Sequence, residues 1–275
     1  MPNSALLMYV VRRNFTSVAM LFLIILELSI VGVIVFGVRV NYADGVLTEF
    51  RFFNHDVMEF GYANLVGMIL RSFANVIHYF VVFFFLAGFS NLAYDFLESR
   101  KTELLLVRPV TRTGLFASTL SGTAVAVTLN LLLFAMILSG IVSVKIGSVV
   151  IGPVVYGSIL FSLELIAYAG ITWSLVLLLK SSTWSTGIMM AYYLLVSGML
   201  SSKASPELFG GVVARLVSVL RTILPHSAQL TSISTDAFFD LMPPFSDVGL
   251  EFGRALIFSV LVVAFSIQAF GKREF

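Results

Sequence analysis

Long apolar runs separated by short polar or charged breaks dominate the chain, and they fall at about 18–38, 76–94, 118–142, 149–179, 186–201 and 255–270. A bilayer core is crossed by a helix of about 20 consecutive apolar residues. The pattern therefore predicts an all-α integral membrane protein with six transmembrane helices in one domain over residues 1–275. The run at 186–201 is the shortest, whereas 149–179 is long enough to tilt or to project into water. No strand-type alternation is read along the chain, which argues against a β-barrel. The only long interruptions are 39–75 and 202–254, and no internal repeat divides the sequence.

Composition sharpens this picture. Hydrophobic residues make up 59% and charged residues only 12% of the chain, and the mean hydropathy is +1.00, far outside the ordinary range of soluble domains. The first run is too long for a signal-peptide core and has no small-residue cleavage site after it, so it is expected to be retained. There is no cysteine, and His55, His78 and His226 show no ligand spacing, so neither a metal nor a redox cofactor is expected. The chain has no phosphate-binding Gly-rich loop, no paired-histidine helix and no serine, histidine and acid set at useful spacing. Enzyme activity and a nucleic-acid partner are not expected.

Lys and Arg in short loops set orientation. With the N-terminus in the cytoplasm, Arg12, Arg13, the cluster over 100–112, Lys180, Lys272 and Arg273 lie in short inner segments, while the outer basic residues spread over two long loops. The expected topology is multi-pass in the plasma (inner) membrane, with both termini cytoplasmic. The stretch 4–16 mixes Leu6, Leu7, Tyr9, Val10 and Phe15 with Arg12 and Arg13, which suits an interfacial elbow helix or a plain orientation signal. In the second long loop, Ser205 is placed to cap a helix with Pro206 at its first position, and Pro225 stops it. Leu208, Val212, Leu216, Val219 and Ile223 share one side of that helix, so it should lie in the outer interface rather than cross.

Two features inside the spans point to packing or transport. Gly114, Ser118, Gly122, Ala126 and Asn130 recur every four residues and make a close-packing face for another helix. Glu27 and Glu164 interrupt apolar runs near their centres, where an acid costs about 2.5–3.5 kcal/mol on insertion scales. They either line a translocation path for cargo or protons, or bond a neighbouring helix through Ser, Thr, Asn or Tyr. The loop over 41–62, rich in Phe and carrying His55, either docks an extracytoplasmic partner or packs on the outer mouth.

Between the second and third runs lies the most informative segment. Glu98, Arg100, Lys101, Thr102 and Glu103 are followed by an apolar patch, Leu104, Leu105, Leu106 and Val107, then by Arg108 and Pro109, with Thr111 and Arg112 leading into the third run. At these residues the chain resembles the permease subunits of type-two ATP-binding cassette (ABC) exporters. The family's usual Gly before Thr is Lys101 here. The resemblance extends loosely over the whole chain, through six spans, an elbow helix, a short turn at 180–185 and an outer partial helix before the last span. It implies that this chain forms half of a path for ATP-driven export. It also implies that cytoplasmic ABC ATPase subunits bind ATP and Mg, and that Glu98, Arg100 to Leu105, Arg108 and Pro109 contact them as a coupling helix. A second copy of the chain or a similar permease would complete the path, surrounded by membrane lipid. The competing expectations are a proton-coupled secondary transporter using Glu27 and Glu164, and a structural membrane anchor. The 26 Phe residues lean towards a hydrophobic or amphipathic cargo.

Overall fold

The computed structural model describes residues 4–43, 46–52, 55–56, 62–95, 112–146, 151–196, 211–238 and 245–271. A short helix α1 (Ser4–Phe15) leads into α2 (Val18–Gly37), separated by the break at Thr16 and Ser17. Ser17 caps α2: its hydroxyl accepts the Met20 N–H at 3.2 Å, satisfying one of the orphan donors of the first turn. The chain then enters three antiparallel strands, β1 (Val38–Ala43), β2 (Val46–Phe52) and β3 (His55–Asp56), in the order β1-β2-β3. Val38 pairs with Phe52 and Ala43 with Val46, and the register shifts once, between Asn41 and Tyr42.

Four long helices and several shorter ones complete the chain. These are α3 (Tyr62–Asp95), α4 (Arg112–Ile146), α5 (Ile151–Leu179), α6 (Ser182–Ala191) continued by a π-helical turn over Tyr192–Val196, α7 (Gly211–Ile223), α8 (Ser227–Phe238) and α9 (Phe245–Gly271). The turn from α5 to α6 is made by Lys180 and Ser181 alone. Lys180 has φ 52°, a left-handed conformation that costs an L-residue about 1–2 kcal/mol, and Ser181 caps α6 by accepting from the Trp184 N–H.

Among the described residues four segments are long and apolar enough to cross a membrane: Val18–Gly37, Gly114–Lys145, Val154–Leu179 and Val248–Gln268. The protein is thus a multi-pass membrane protein with an α-helical body. Two expectations change. The interruption at 39–75 holds a small sheet, and the helix expected over 76–94 begins at Tyr62. In the second long interruption a helix, α7, is present over Gly211–Ile223, and a second helix, α8, follows Pro225. The expected starts of the outer helix at Ser205 and of the coupling helix lie outside the described residues, as do Lys272 and Arg273.

Helix α5 is the centre of the bundle, with α3, α4, α6, α8 and α9 all packed against it. Its candidate span is 67% buried, against 22% for α2 and 28% for α9, so α5 is a core helix and the other two are rim helices. Where helices approach closely, glycine supplies the room. A side chain at Gly88 of α3 would run into Ala19 of α2, and one at Gly170 of α5 would run into Ser259 of α9.

The four-residue strip on α4 finds its partner in α1. A Cβ at Gly122 would sit 2.7 Å from Val10 Cγ1 and 3.2 Å from the Leu7 carbonyl oxygen. Leu6, Val10 and Asn14, one helical turn apart, are the buried face of α1, and the Asn14 amide donates to Thr123 Oγ1 of α4 at 3.2 Å. Further along the strip, Asn130 meets α2. Arg13 of α1 pairs with Asp95 at the end of α3, so α1, the C-terminal end of α3 and the first half of α4 share one end of the bundle. At the other end the Lys145 ammonium donates to the Val35 and Val38 carbonyls where α2 runs into the sheet.

Replacing Gly122 by Leu is expected to lever α1 from α4 and to destabilise the protein by about 1–3 kcal/mol, the usual cost of overpacking a close contact. Ser121→Leu, half-buried on the same helix, should cost less. Unfolding of both variants in mixed micelles compares the two.

Candidate functional site

Two buried polar groups sit at mid-bundle, each built around one of the acids singled out from sequence. Glu27 lies near the middle of α2 and is 6% exposed. The Asn130 amide of α4 donates to its Oε1 at 2.8 Å, so the last residue of the small-residue strip answers the acid across the helix interface. A cleft of about 30 Å³ opens beside this pair, lined by Asn14, Ser17 and Asn130 at polar points and by Leu23, Phe85 and Leu165 among its apolar walls. Space of that size holds water rather than a cargo molecule. Neither Glu27 nor Glu164 is part of its lining.

Glu164 lies at the midpoint of α5 and is fully buried. Its Oε2 is 3.2 Å from Nε2 of His78 on α3, and its Oε1 accepts from the Thr231 hydroxyl of α8 at 3.4 Å. Thr231 Oγ1 is also 3.1 Å from His78 Nε2 and 3.2 Å from the Tyr193 hydroxyl on the π-helical turn. Four elements meet at these atoms. A threonine hydroxyl has one proton and two lone pairs. If it donates to Glu164, it accepts from Tyr193 and from a protonated His78 Nε2, which gives the network one consistent direction. Glu164 Oε2 faces the imidazole and has no hydrogen-bond donor among the described residues.

The walls around this group are aromatic. His78 stacks on Phe161 with centroids 4.0 Å apart, and Tyr193 packs edge-on against both Tyr168 and Tyr79. The π-helical turn lets two consecutive tyrosines face the same segment: Tyr192 donates to the Pro225 carbonyl and Tyr193 reaches Thr231. Single π turns recur at functional sites because they re-aim side chains without ending a helix.

A third polar group fastens the far end. His226, next to Pro225, donates from Nε2 to the Arg221 carbonyl at 2.8 Å and accepts at Nδ1 from Arg254 at 2.9 Å, with Glu251 Oε2 3.3 Å from the same nitrogen. Glu251 and Arg254 belong to α9 and are themselves 3.4 Å apart. The Gln229 amide nitrogen faces His226 Nδ1 and Glu251, donating to the acceptors gathered there. This group ties the α7–α8 corner to the start of the last helix. Helix α7 buries none of its residues, and Val212, Leu216, Val219 and Ile223 are exposed on it.

The structure thus joins Glu27 to Asn130, and Glu164 to His78, Thr231 and Tyr193. Glu98, Arg100, Lys101, Thr102, Glu103, Leu104, Leu105, Arg108 and Pro109 lie outside the described residues. His78 is the functional candidate that sequence reasoning missed. Its signal was an ionisable residue at the margin of an apolar run, and only the start of α3 at Tyr62 moves it to the middle of a 34-residue helix. The chain matches no family model, no curated protein and no solved structure.

Asn130→Leu is expected to leave Glu27 buried without its donor and to cost about 1–3 kcal/mol. Adding Glu27→Leu should recover most of that loss, because removing both polar partners is close to neutral. A double-mutant cycle by unfolding in mixed micelles measures the coupling.

Proposed function

We propose that this chain is the membrane-embedded permease subunit of an ABC exporter, forming half of a translocation path and driven by a separate cytoplasmic ATPase. In this reading α3 and α6 complete six spans with the four apolar helices, and both termini are cytoplasmic. The segment over 96–111 receives the force.

One observation carries the reading beyond the sequence motif. Asp95, the last residue of α3, pairs with Arg13 of α1, and the first half of α4 packs on α1 through Gly122 and Thr123. The charged and leucine-rich segment between α3 and α4 therefore leaves and re-enters the bundle beside the basic N-terminal helix. Positive charge concentrated at one end is what cytoplasmic placement demands, and a motor docking there would act on α1, α3 and α4 together. Leu104 to Leu106 supply apolar area for such a contact, while Glu98, Arg100, Lys101 and Glu103 set its register. Rigid-body rocking of two such permeases would alternate access.

A proton-coupled carrier is the second reading, supported by the buried His78–Glu164 contact. Ionisable residues inside a membrane bundle are the usual elements of proton relays. Proton-driven uptake by the chain alone would favour it.

The chain has no cysteine, so Glu103→Cys provides a unique crosslinking site. Crosslinking in native membranes is expected to capture a soluble nucleotide hydrolase. Failure to capture one, or labelling of position 103 from the extracytoplasmic side, would overturn the proposal. Leu104→Asp combined with Leu105→Asp should weaken co-purification of the ATPase by about tenfold or more, since burying two leucines contributes about 1.5–3 kcal/mol each.

A further inference from the structure

We infer that the cleft beside the Glu27–Asn130 pair is a binding site for a short chain of ordered water, running from the break between α1 and α2 to Asn130 at mid-bundle.

The polar lining calls for such a ligand. Asn14 of α1, Ser17 at the cap of α2 and Asn130 of α4 all line the cleft. Asn14 is 9% exposed and Asn130 6%, so both are withdrawn from bulk solvent. Their amide nitrogens are engaged: Asn14 donates to the Val10 carbonyl at 2.9 Å and to Thr123 Oγ1 at 3.2 Å, and Asn130 donates to Glu27 at 2.8 Å. Neither amide oxygen accepts a bond among the described residues. The Ser17 hydroxyl accepts the Met20 N–H, and its own proton has no acceptor among the described residues. Buried polar atoms left in this way are costly, and a buried water typically makes about three bonds to such atoms. Here it finds a donor in Ser17 and acceptors in Asn14 and Asn130.

Length and volume agree on the size of the chain. Thr123, the partner of Asn14, and Asn130 are seven residues apart on α4, about 10 Å along the helix axis. One water cannot bridge that distance, whereas about three can at the usual spacing of about 2.8 Å. Each water needs about 10–15 Å³ of such space, so a cleft of about 30 Å³ admits about two or three. The other lining residues are apolar, among them Phe85 and Leu165, so the waters bond along the line of polar points and not to the walls.

The consequence is a difference between the two buried acids. Asn130 is shared between the cleft and Glu27, which puts that carboxyl group one hydrogen bond away from water although it does not line the cleft. Glu164 and His78 are not in the lining either, and Glu164 is bonded instead to Thr231. Under the ABC reading the α1 end faces the cytoplasm and the chain of waters is an inlet from that side. The water site itself does not depend on that reading.

The test is radiolytic hydroxyl-radical labelling of the full chain in lipid nanodiscs, in which radicals formed from water modify the side chains that water touches. Met20 and Phe85 line the cleft. Met189 and Phe161 are buried outside its lining, and Met136 is exposed within the span of α4, where it faces lipid. Met20 is expected to label at least about tenfold faster than Met189 and Met136, and Phe85 at least about tenfold faster than Phe161. Phe85 lies about 15 Å from the end of α3 at Asp95, so its labelling reports water at mid-bundle. A dry cleft, or one filled by a lipid chain, would leave Phe85 as slow as Phe161 and overturn the inference. Labelling confined to Met20 overturns it too, because water would then stop at the α1 end. Val127 also lines the cleft, and Val127→Phe, by filling it, should return Met20 and Phe85 to the level of the sealed residues. If that variant does not insert, Val127→Leu is read in the same way, and unchanged labelling of Phe85 in the variant that inserts counts against the site. Failure to crosslink an ATPase at position 103 leaves this prediction standing, and a dry cleft leaves the ABC reading standing.

Discussion

A carboxylate at the midpoint of a helix that has neighbours on all sides has to be answered by those neighbours. Helix α5 is that helix and Glu164 is that carboxylate, and much of the bundle is arranged around the answer. His78 comes from α3, Thr231 from α8, and Tyr193 from the π-helical turn after α6. Each of these elements reaches the same point from a different direction. Lipid offers no hydrogen-bonding partners, so a wrong register of any of the three would leave polar atoms stranded. The polar cluster thus acts as a registration mark for an interior that is otherwise apolar and would tolerate sliding.

The same logic operates at three other places. Arg13 and Asp95 fix α1 to α3 at one end, Asn130 and Glu27 fix α4 to α2 in the middle, and His226, Glu251 and Arg254 fix the α7–α8 corner to α9 at the far end. Between these points packing depends on small residues. Gly88, Gly122 and Gly170 each occupy a place where a side chain would collide with the facing helix. Polar contacts choose the register and glycines permit the distance, and neither suffices alone.

How much of this was legible depends on the kind of signal. Apolar runs gave the long helices, because crossing a bilayer imposes a length on the sequence. The strip from Gly114 to Asn130 announced a packed face, and its partner α1 was hidden because a spacing on one helix carries no address for the other. The sheet went unread although its signal is present: Val38, Val40 and Tyr42 alternate with Arg39 and Asn41, and the pair Asp44-Gly45 that follows is the strongest short hairpin signal there is. It was obscured by the expectation of helices on both sides. His78 was discounted for a related reason. A helix boundary set by hydropathy placed it at the membrane edge, whereas the helix runs on through residues 62–75, interrupted by Asn64, Arg71, Ser72 and Asn75, and carries it to the level of Glu164.

These placements bear on how force at one end would reach the other. Helix α4 meets α1 with its first half and α2 with its second, and it packs along α5. Helix α5 in turn carries α8 and α9, the two elements joined at the far end by the His226 group. A displacement delivered near Asp95 or Arg112 therefore meets a continuous series of close helix contacts leading to the α7–α8 corner, and the His78–Glu164–Thr231 cluster lies on that route. Packed interfaces of this kind shift between discrete arrangements rather than bending by degrees. A junction whose polar atoms are satisfied in one arrangement and exposed in another is where such a step would be set, because breaking it strands a carboxylate unless water or a proton arrives with the motion.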